Sequence, residues 1–220
     1  MAKDRRGGVI PHAAEFIARG GYVTKSLLDT VDKQLKKKVK DWLFLPKRES
    51  AEVVYLTPAQ GGVGILPIKE TLDISTVLQA FRMLGAKDPF VSNVAKTTLT
   101  TIVKRKMGRT PTEKETCDFL NGTSEEPFNR QAGDIRSLWT RTRTATKELA
   151  KKNNMRWTWN ATRKNYEIAV PITNQQPEIV KIHPLASGHL AGLLKWAARQ
   201  FYLDWLLKKP DQGKVHEVAS

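Results

Sequence analysis

A single cysteine, Cys117, is all that the 220 residues contain. An intrachain disulfide and a cysteine-based zinc site are therefore excluded, and a reducing compartment, cytosol or nucleus, is the expectation. No apolar run approaches the ~20 residues of a membrane-spanning helix. The basic start, Met1 to Gly8, lacks the apolar stretch of a secretory signal. Acids are scarce beside bases: 22 Asp and Glu against 37 Lys and Arg. No Asp-Asp pair occurs, and Glu113/Glu115 and Glu125/Glu126 lie in polar segments, where helix starts and solubility account for them. Chemistry that holds metal ions on clustered carboxylates, nucleotidyl transfer included, is not expected. His12, His183, His189 and His216 are scattered, with no His-Glu-x-x-His pattern, and Ser187-Gly188-His189 lacks the flanking glycines of a nucleophile elbow. The sequence thus calls for no catalytic residue, metal ligand or cofactor of its own.

What is present is a core and a charge. Apolar residues make up 40% of the chain, enough for a packed domain, and the formal net charge is +15. Such an imbalance opposes compaction and attracts polyanions. The expected class is mainly α: a helical bundle with a short strand-and-turn insertion and a small β-hairpin in the C-terminal half.

Hydrophobic spacing divides the chain. Residues 1–23 read as a loose basic arm with a short helix around Ala13 to Ala18. A helical domain follows over 24–108. Its first helix, Thr24 to Leu45, carries Leu27, Leu28, Val31, Leu35, Val39, Trp42 and Leu43 at three- and four-residue steps. Ser26 and Asp29 resemble a capping box, and Pro46 is the stop. Lys33, Lys36, Lys37 and Lys40 fall away from the stripe. Glu52 to Leu56 reads as a strand, Gln60 to Gly64 as a turn, and Leu72 to Leu84 as a second helix. Asp88-Pro89 opens a third, closed by Gly108 and ending in the cluster Lys104-Arg105-Lys106. Residues 109–133 read as a short helix from Thr110-Pro111-Thr112-Glu113 to Leu120, then a polar linker. Residues 134–220 read as a basic helix, Asp134 to Lys152, with Arg136, Arg141 and Arg143; a hairpin of Trp157 to Trp159 and Tyr166 to Val170; an irregular stretch from Pro171 to Pro184; and an apolar helix from Leu190 to Leu207.

Two features invite a chemical reading. The cluster Gly61-Gly62-Val63-Gly64 could cradle a phosphate, but Lys69 stands too far on and Pro67 removes an amide, so a structural turn is the better account. Trp157 and Trp159 could stack on bases, yet their alternation with polar residues favours packing against the last helix. Trp42, Trp196 and Trp205 sit in apolar stripes and read as core. The three basic segments, Lys33 to Lys40, Lys104 to Arg109 and Arg136 to Lys152, together favour contact with a polyphosphate backbone, which positions without specifying sequence.

The order Trp42-Leu43-Phe44-Leu45-Pro46, a β-prone run, then Gly61-Gly62-Val63-Gly64-Ile65 resembles the segment after the palm in reverse transcriptases of non-LTR (LINE-like) retrotransposons, in the branch with a restriction-like endonuclease. The amphipathic helix before it matches too. The resemblance extends from Thr24 to Gly108 and, more loosely, beyond. Val63 replaces the usual leucine, Lys47-Arg48-Glu49-Ser50 replaces the customary Asp-Thr, and the palm's Asp-Asp signature is absent. The resemblance implies a thumb and post-thumb linker without catalytic residues, with Trp42, Leu43, Leu45, Pro46, Gly61, Gly62, Gly64 and Ile65 as structural motif. It also implies Lys33, Lys36, Lys37, Lys40, Lys104, Arg105, Lys106, Arg136, Arg141 and Arg143 as phosphate contacts. Partners would be RNA, DNA or an RNA–DNA hybrid, and the missing palm and fingers of the same polyprotein, but no membrane. Two other readings stand beside it: an independent helix-turn-helix binder around Thr110 to Lys152, and a scaffold whose basic faces meet an acidic protein.

Overall fold

The computed structural model describes residues 25–46, 50–128, 135–171 and 179–208. The basic arm, its expected helix near Ala13, and most of the segment after Pro46 lie outside them. The architecture is mainly helical. Six α-helices occur among the described residues: α1 (Lys25–Trp42), α2 (Ile68–Leu84), α3 (Pro89–Met107), α4 (Glu113–Leu120), α5 (Leu138–Asn153) and α6 (Ser187–Leu207). A three-stranded antiparallel sheet sits in the C-terminal half, β1 (Arg156–Asn160), β2 (Asn165–Pro171) and β3 (Ile179–Ile182), in the order β1-β2-β3. The chain forms two units, one of residues up to Leu72 and from Lys195 onward, the other Asp73–Leu194.

In the first unit α1 buries Leu28, Asp32 and Val39. Val39 joins Val54, Tyr55, Leu66 and Ala198 in a small core, with Leu35, Val63, Ile65 and Tyr202 packed against it. The expected apolar stripe is thus only partly used. Leu27, Val31, Trp42 and Leu43 are exposed, Trp42 at 67%, so the reading of Trp42 as core is corrected. At 100° per residue, Leu27, Val31 and Trp42 occupy an arc beside the buried one. The expected strand at Glu52 to Leu56 is instead a 3-10 turn, Ala51–Tyr55. Val54, Tyr55 and Leu56 are buried in succession, a pattern that a one-sided strand cannot satisfy.

The expected cap of α1 also shifts. Ser26 lies within the helix, its carbonyl accepting from Thr30 Oγ1 at 3.1 Å, and Asp29 pairs with Lys69 Nζ at 3.3 Å. The capping carboxylate is Asp32, and it serves another helix. Its oxygens accept the Ile68 amide at 2.7 Å and the Lys69 amide at 3.3 Å, which closes the first turn of α2. Burial raises the Asp32 carboxyl above its ordinary range, while those two amides and Lys36 pull it back down.

In the second unit the helix signals hold. Asp88 accepts from the Phe90 amide at 2.9 Å with Pro89 at the first helical position, and Gly108 closes α3 in left-handed geometry. Thr112 and Glu115 form a reciprocal capping box on α4. The helix expected from Asp134 begins at Leu138, because Ser137 caps it against the Thr140 amide. The hairpin pairs Trp157 with Ile168 and Trp159 with Tyr166. The stretch expected to be irregular supplies β3, which pairs Ile182 with Ile168. A core of Phe81, Leu99, Phe119, Leu120, Leu149, Trp157, Ile168, Leu190 and others joins the helices to the sheet. Within it the Trp157 ring meets Phe81 of α2 edge-on at 5.8 Å, and its indole N–H donates to Thr146 Oγ1 at 3.0 Å. Trp157 is therefore a packing residue, as its alternation suggests, with α2 among its partners.

Candidate nucleic-acid interface

Helix α1 presents the first cationic group. Lys33, Lys37 and Lys38 are exposed; Lys36 and Lys40 are half-buried. Lys36 is held by the protein itself: its ammonium lies 3.9 Å from Glu52 Oε1 and 5.0 Å from the centre of the Tyr55 ring. The α1 surface is thus three arcs: one buried, one with Lys33, Lys36, Lys37 and Lys40, and one exposed that is apolar but for Lys38.

Past α1 the chain turns sharply. Leu43, Phe44 and Leu45 donate to the carbonyls of Val39, Asp41 and Lys40, and Phe44 adopts φ 52°. This is the arrangement in which glycine usually ends a helix. Here a phenylalanine occupies it and is 94% exposed. Leu45 is half-buried and Pro46 exposed.

The glycine turn is structural. Gly61 and Gly64 both have φ 78°. A Cβ on Gly62 would lie 2.2 Å from the Leu56 carbonyl oxygen and 2.5 Å from that of Val53. All three glycine amides of the turn, and the Ile65 amide after it, point inward: Gly61 to Pro58, Gly62 to Thr57, Gly64 to Leu56 and Ile65 to Val54. Donors engaged in this way cannot cradle a phosphate. Arg199 also donates to the Gly64 carbonyl at 3.2 Å, and Ile65 packs on the core.

In the second unit Lys104 and Arg105 are exposed and Lys106 half-buried at the end of α3, where helix carbonyls favour positive charge. The helix carries no acidic residue from Pro89 to Met107. Arg136, in the segment before α5, and Arg141, on α5, are exposed. Arg143 behaves differently. Its guanidinium donates to the carbonyls of Phe119 at 3.2 Å, Thr123 at 2.7 Å and Phe128 at 3.0 Å, and lies about 5 Å from the Phe119 ring. It fastens the chain after α4 onto α5. Gly122, at φ 74°, permits this approach, since a Cβ there would meet Lys147 Cβ at 2.8 Å. Among the ten cations singled out in the sequence, Arg143 is one whose donors are engaged within the fold.

The remaining titratable groups are embedded in packing. Burial pushes the Cys117 thiol up to about 12, which leaves it unreactive. Tyr166 donates to Glu113, and burial with that hydrogen bond raises its phenol. Tyr202 donates to buried Glu70 at 2.8 Å, and its phenol is raised chiefly by burial. No group of three or more His, Cys, Asp or Glu residues that could hold a metal ion occurs among the described residues, and no described helix is long and apolar enough to cross a membrane. Lys38 and Lys96 were not singled out by sequence, although both are exposed on the basic helices; helical projection places Lys38 between Leu27 and Val31, inside the apparent stripe. Trp196 is exposed at 39% and Trp205 half-buried, so the reading of Trp196 as core is also corrected. No protein-family model matches the chain, and neither a curated protein nor a solved structure shows significant similarity to it.

Proposed function

We propose that the chain is a sequence-independent nucleic-acid-binding fragment, the thumb and linker of a non-LTR retrotransposon reverse transcriptase, which grips a template–primer duplex without catalytic residues of its own. The observation that supports it best is the build of α1. One arc is buried with Leu28 and Val39, while Lys33 and Lys37 stand in solvent on another. Such cations meet phosphates without base-specific geometry. Lys40 and the end of α3 would add contacts, and the missing palm and fingers would be the protein partner. Arg143 serves here as a brace and not as a phosphate ligand.

Fluorescence anisotropy with an RNA–DNA hybrid at two salt concentrations tests the proposal. Binding should weaken steeply with salt, by roughly 0.9 in log K per log unit of salt for every phosphate neutralised. Binding that is absent, or indifferent to salt, refutes it. A marked preference for one duplex sequence over a scrambled competitor would favour the helix-turn-helix reading. The geometry gives that reading little support, because residues 121–137 separate α4 from α5 and the motif uses a turn of ~3–4 residues.

A further inference from the structure

Helix α3 has an outward face that the duplex reading leaves unexplained. Ala95, Leu99 and Val103 are its buried residues. At 100° per residue, the line opposite them holds Phe90, Thr97, Thr101 and Lys104, flanked by Val94 and Arg105 on one side and Asn93 on the other, while Lys96 stands at the rim beside the buried arc. All eight are exposed. Phe90, at 76% exposure, stands at the start of the face, and Lys104 and Arg105 stand at its end. Trp139 Nε1 donates to Thr98 Oγ1 at 3.0 Å, so the face has one protein-covered edge. Asp88, two residues before Phe90, is turned to the Phe90 amide.

A duplex backbone would use only half of this face. Its bases are already stacked on each other, and Phe90 and Val94 would lie against phosphates. An unpaired strand uses both halves, because its phosphates meet the cations and a free base stacks on the ring. From Phe90 to Arg105 the helix rises ~22 Å, so the ring and the basic end can meet different nucleotides of one strand. We infer that the outward face of α3 binds single-stranded nucleic acid without sequence preference, with a base on Phe90 and phosphates at Lys104 and Arg105. The inference deepens the nucleic-acid reading and rests on it.

The test uses the full chain and three probes: a blunt RNA–DNA hybrid, a single-stranded oligonucleotide of mixed sequence, and the hybrid with a single-stranded overhang. Phe90→Ala should weaken binding of the single strand roughly 5- to 150-fold, the range for loss of one stacked base, and leave the blunt hybrid unchanged. Phe90→Trp should restore the single-strand affinity. Lys104→Gln with Arg105→Gln should lower the salt slope on the single strand by about 1.4, or ~0.7 for each phosphate. Circular dichroism verifies that each variant is folded. If the wild type binds none of the probes, the nucleic-acid reading itself fails. If it binds them and these variants leave single-strand affinity within twofold, the assignment of the α3 face is overturned while the broader reading stands. An equal loss on the blunt hybrid and the single strand after Phe90→Ala also overturns it.

Discussion

Two arginines on α5, two positions apart, should fail in opposite ways. Arg143 donates to three carbonyls, and two of these belong to the buried residues Phe119 and Phe128. Replacing it with methionine keeps much of the stem and removes the donors. The Phe119 carbonyl keeps the Gly122 amide at 3.0 Å, but the Phe128 carbonyl left without its partner costs ~1–3 kcal/mol, and the lost contact with an aromatic ring adds ~0.5–1 kcal/mol. Thr123 is half-buried, so its carbonyl recovers a water. The expected loss for Arg143→Met is about 3 kcal/mol, read as a lower urea midpoint at constant slope. Arg141 is exposed, and Arg141→Met should change stability by no more than ~0.5 kcal/mol. In binding the order reverses. Arg141→Met should lower the duplex salt slope by ~0.9, while folded Arg143→Met keeps it. A stable Arg143 variant, or one that stays folded and loses slope, would show that the brace is misread.

Three further outcomes follow from the turns and the caps. Gly62→Ala places a methyl group 2.2 Å from the Leu56 carbonyl oxygen, so it should destabilise by at least the ~1–3 kcal/mol of an overpacked site; an unchanged melting temperature would contradict the turn as described. Phe44→Gly relieves left-handed backbone at φ 52° and should stabilise by about 1 kcal/mol, measurable by the same urea titration; a loss of stability would mean that the ring packs on the protein. Hydrogen bonding to Arg109 and to the Thr112 amide holds the Glu115 carboxyl down at about 2, against an ordinary 4.5. A depressed acid contributes stability above its unfolded pKa and loses it as pH falls through the folded one. The gap between wild type and Glu115→Gln should therefore close between about pH 5 and pH 2, and an NMR titration of Glu115 centred near 4.5 would refute the pairing.

Local signals located most of the second unit. Asp88-Pro89 and Gly108 mark the ends of α3 because their chemistry is local: one side-chain acceptor and one left-handed residue. Thr112, and the alternation around Trp157 and Tyr166, are equally direct. The first unit was harder to read. Val53-Val54-Tyr55 is β-prone, yet packing on Val39 and Tyr202 curls it into a 3-10 turn, a tertiary override of propensity. On α1, spacing groups Leu27, Val31 and Trp42 with Leu28 and Val39, but only contacts between distant segments decide which arc is covered. The interface is legible to the same degree. Sequence finds the cations, but the engagement of Arg143 depends on carbonyls 24, 20 and 15 residues away. Phe90 gains meaning only once the burial of Leu99 fixes the rotation of α3.

Asp32 closes the first turn of a helix that begins 36 residues later in sequence. Helix α2 is preceded by Pro67 and enters its first turn through amides that a carboxylate on α1 must accept. An isolated peptide spanning α2 would fray at that end. The two helices should therefore acquire protection from hydrogen exchange together, and anything that pries α1 loose would also unravel the opening of its neighbour.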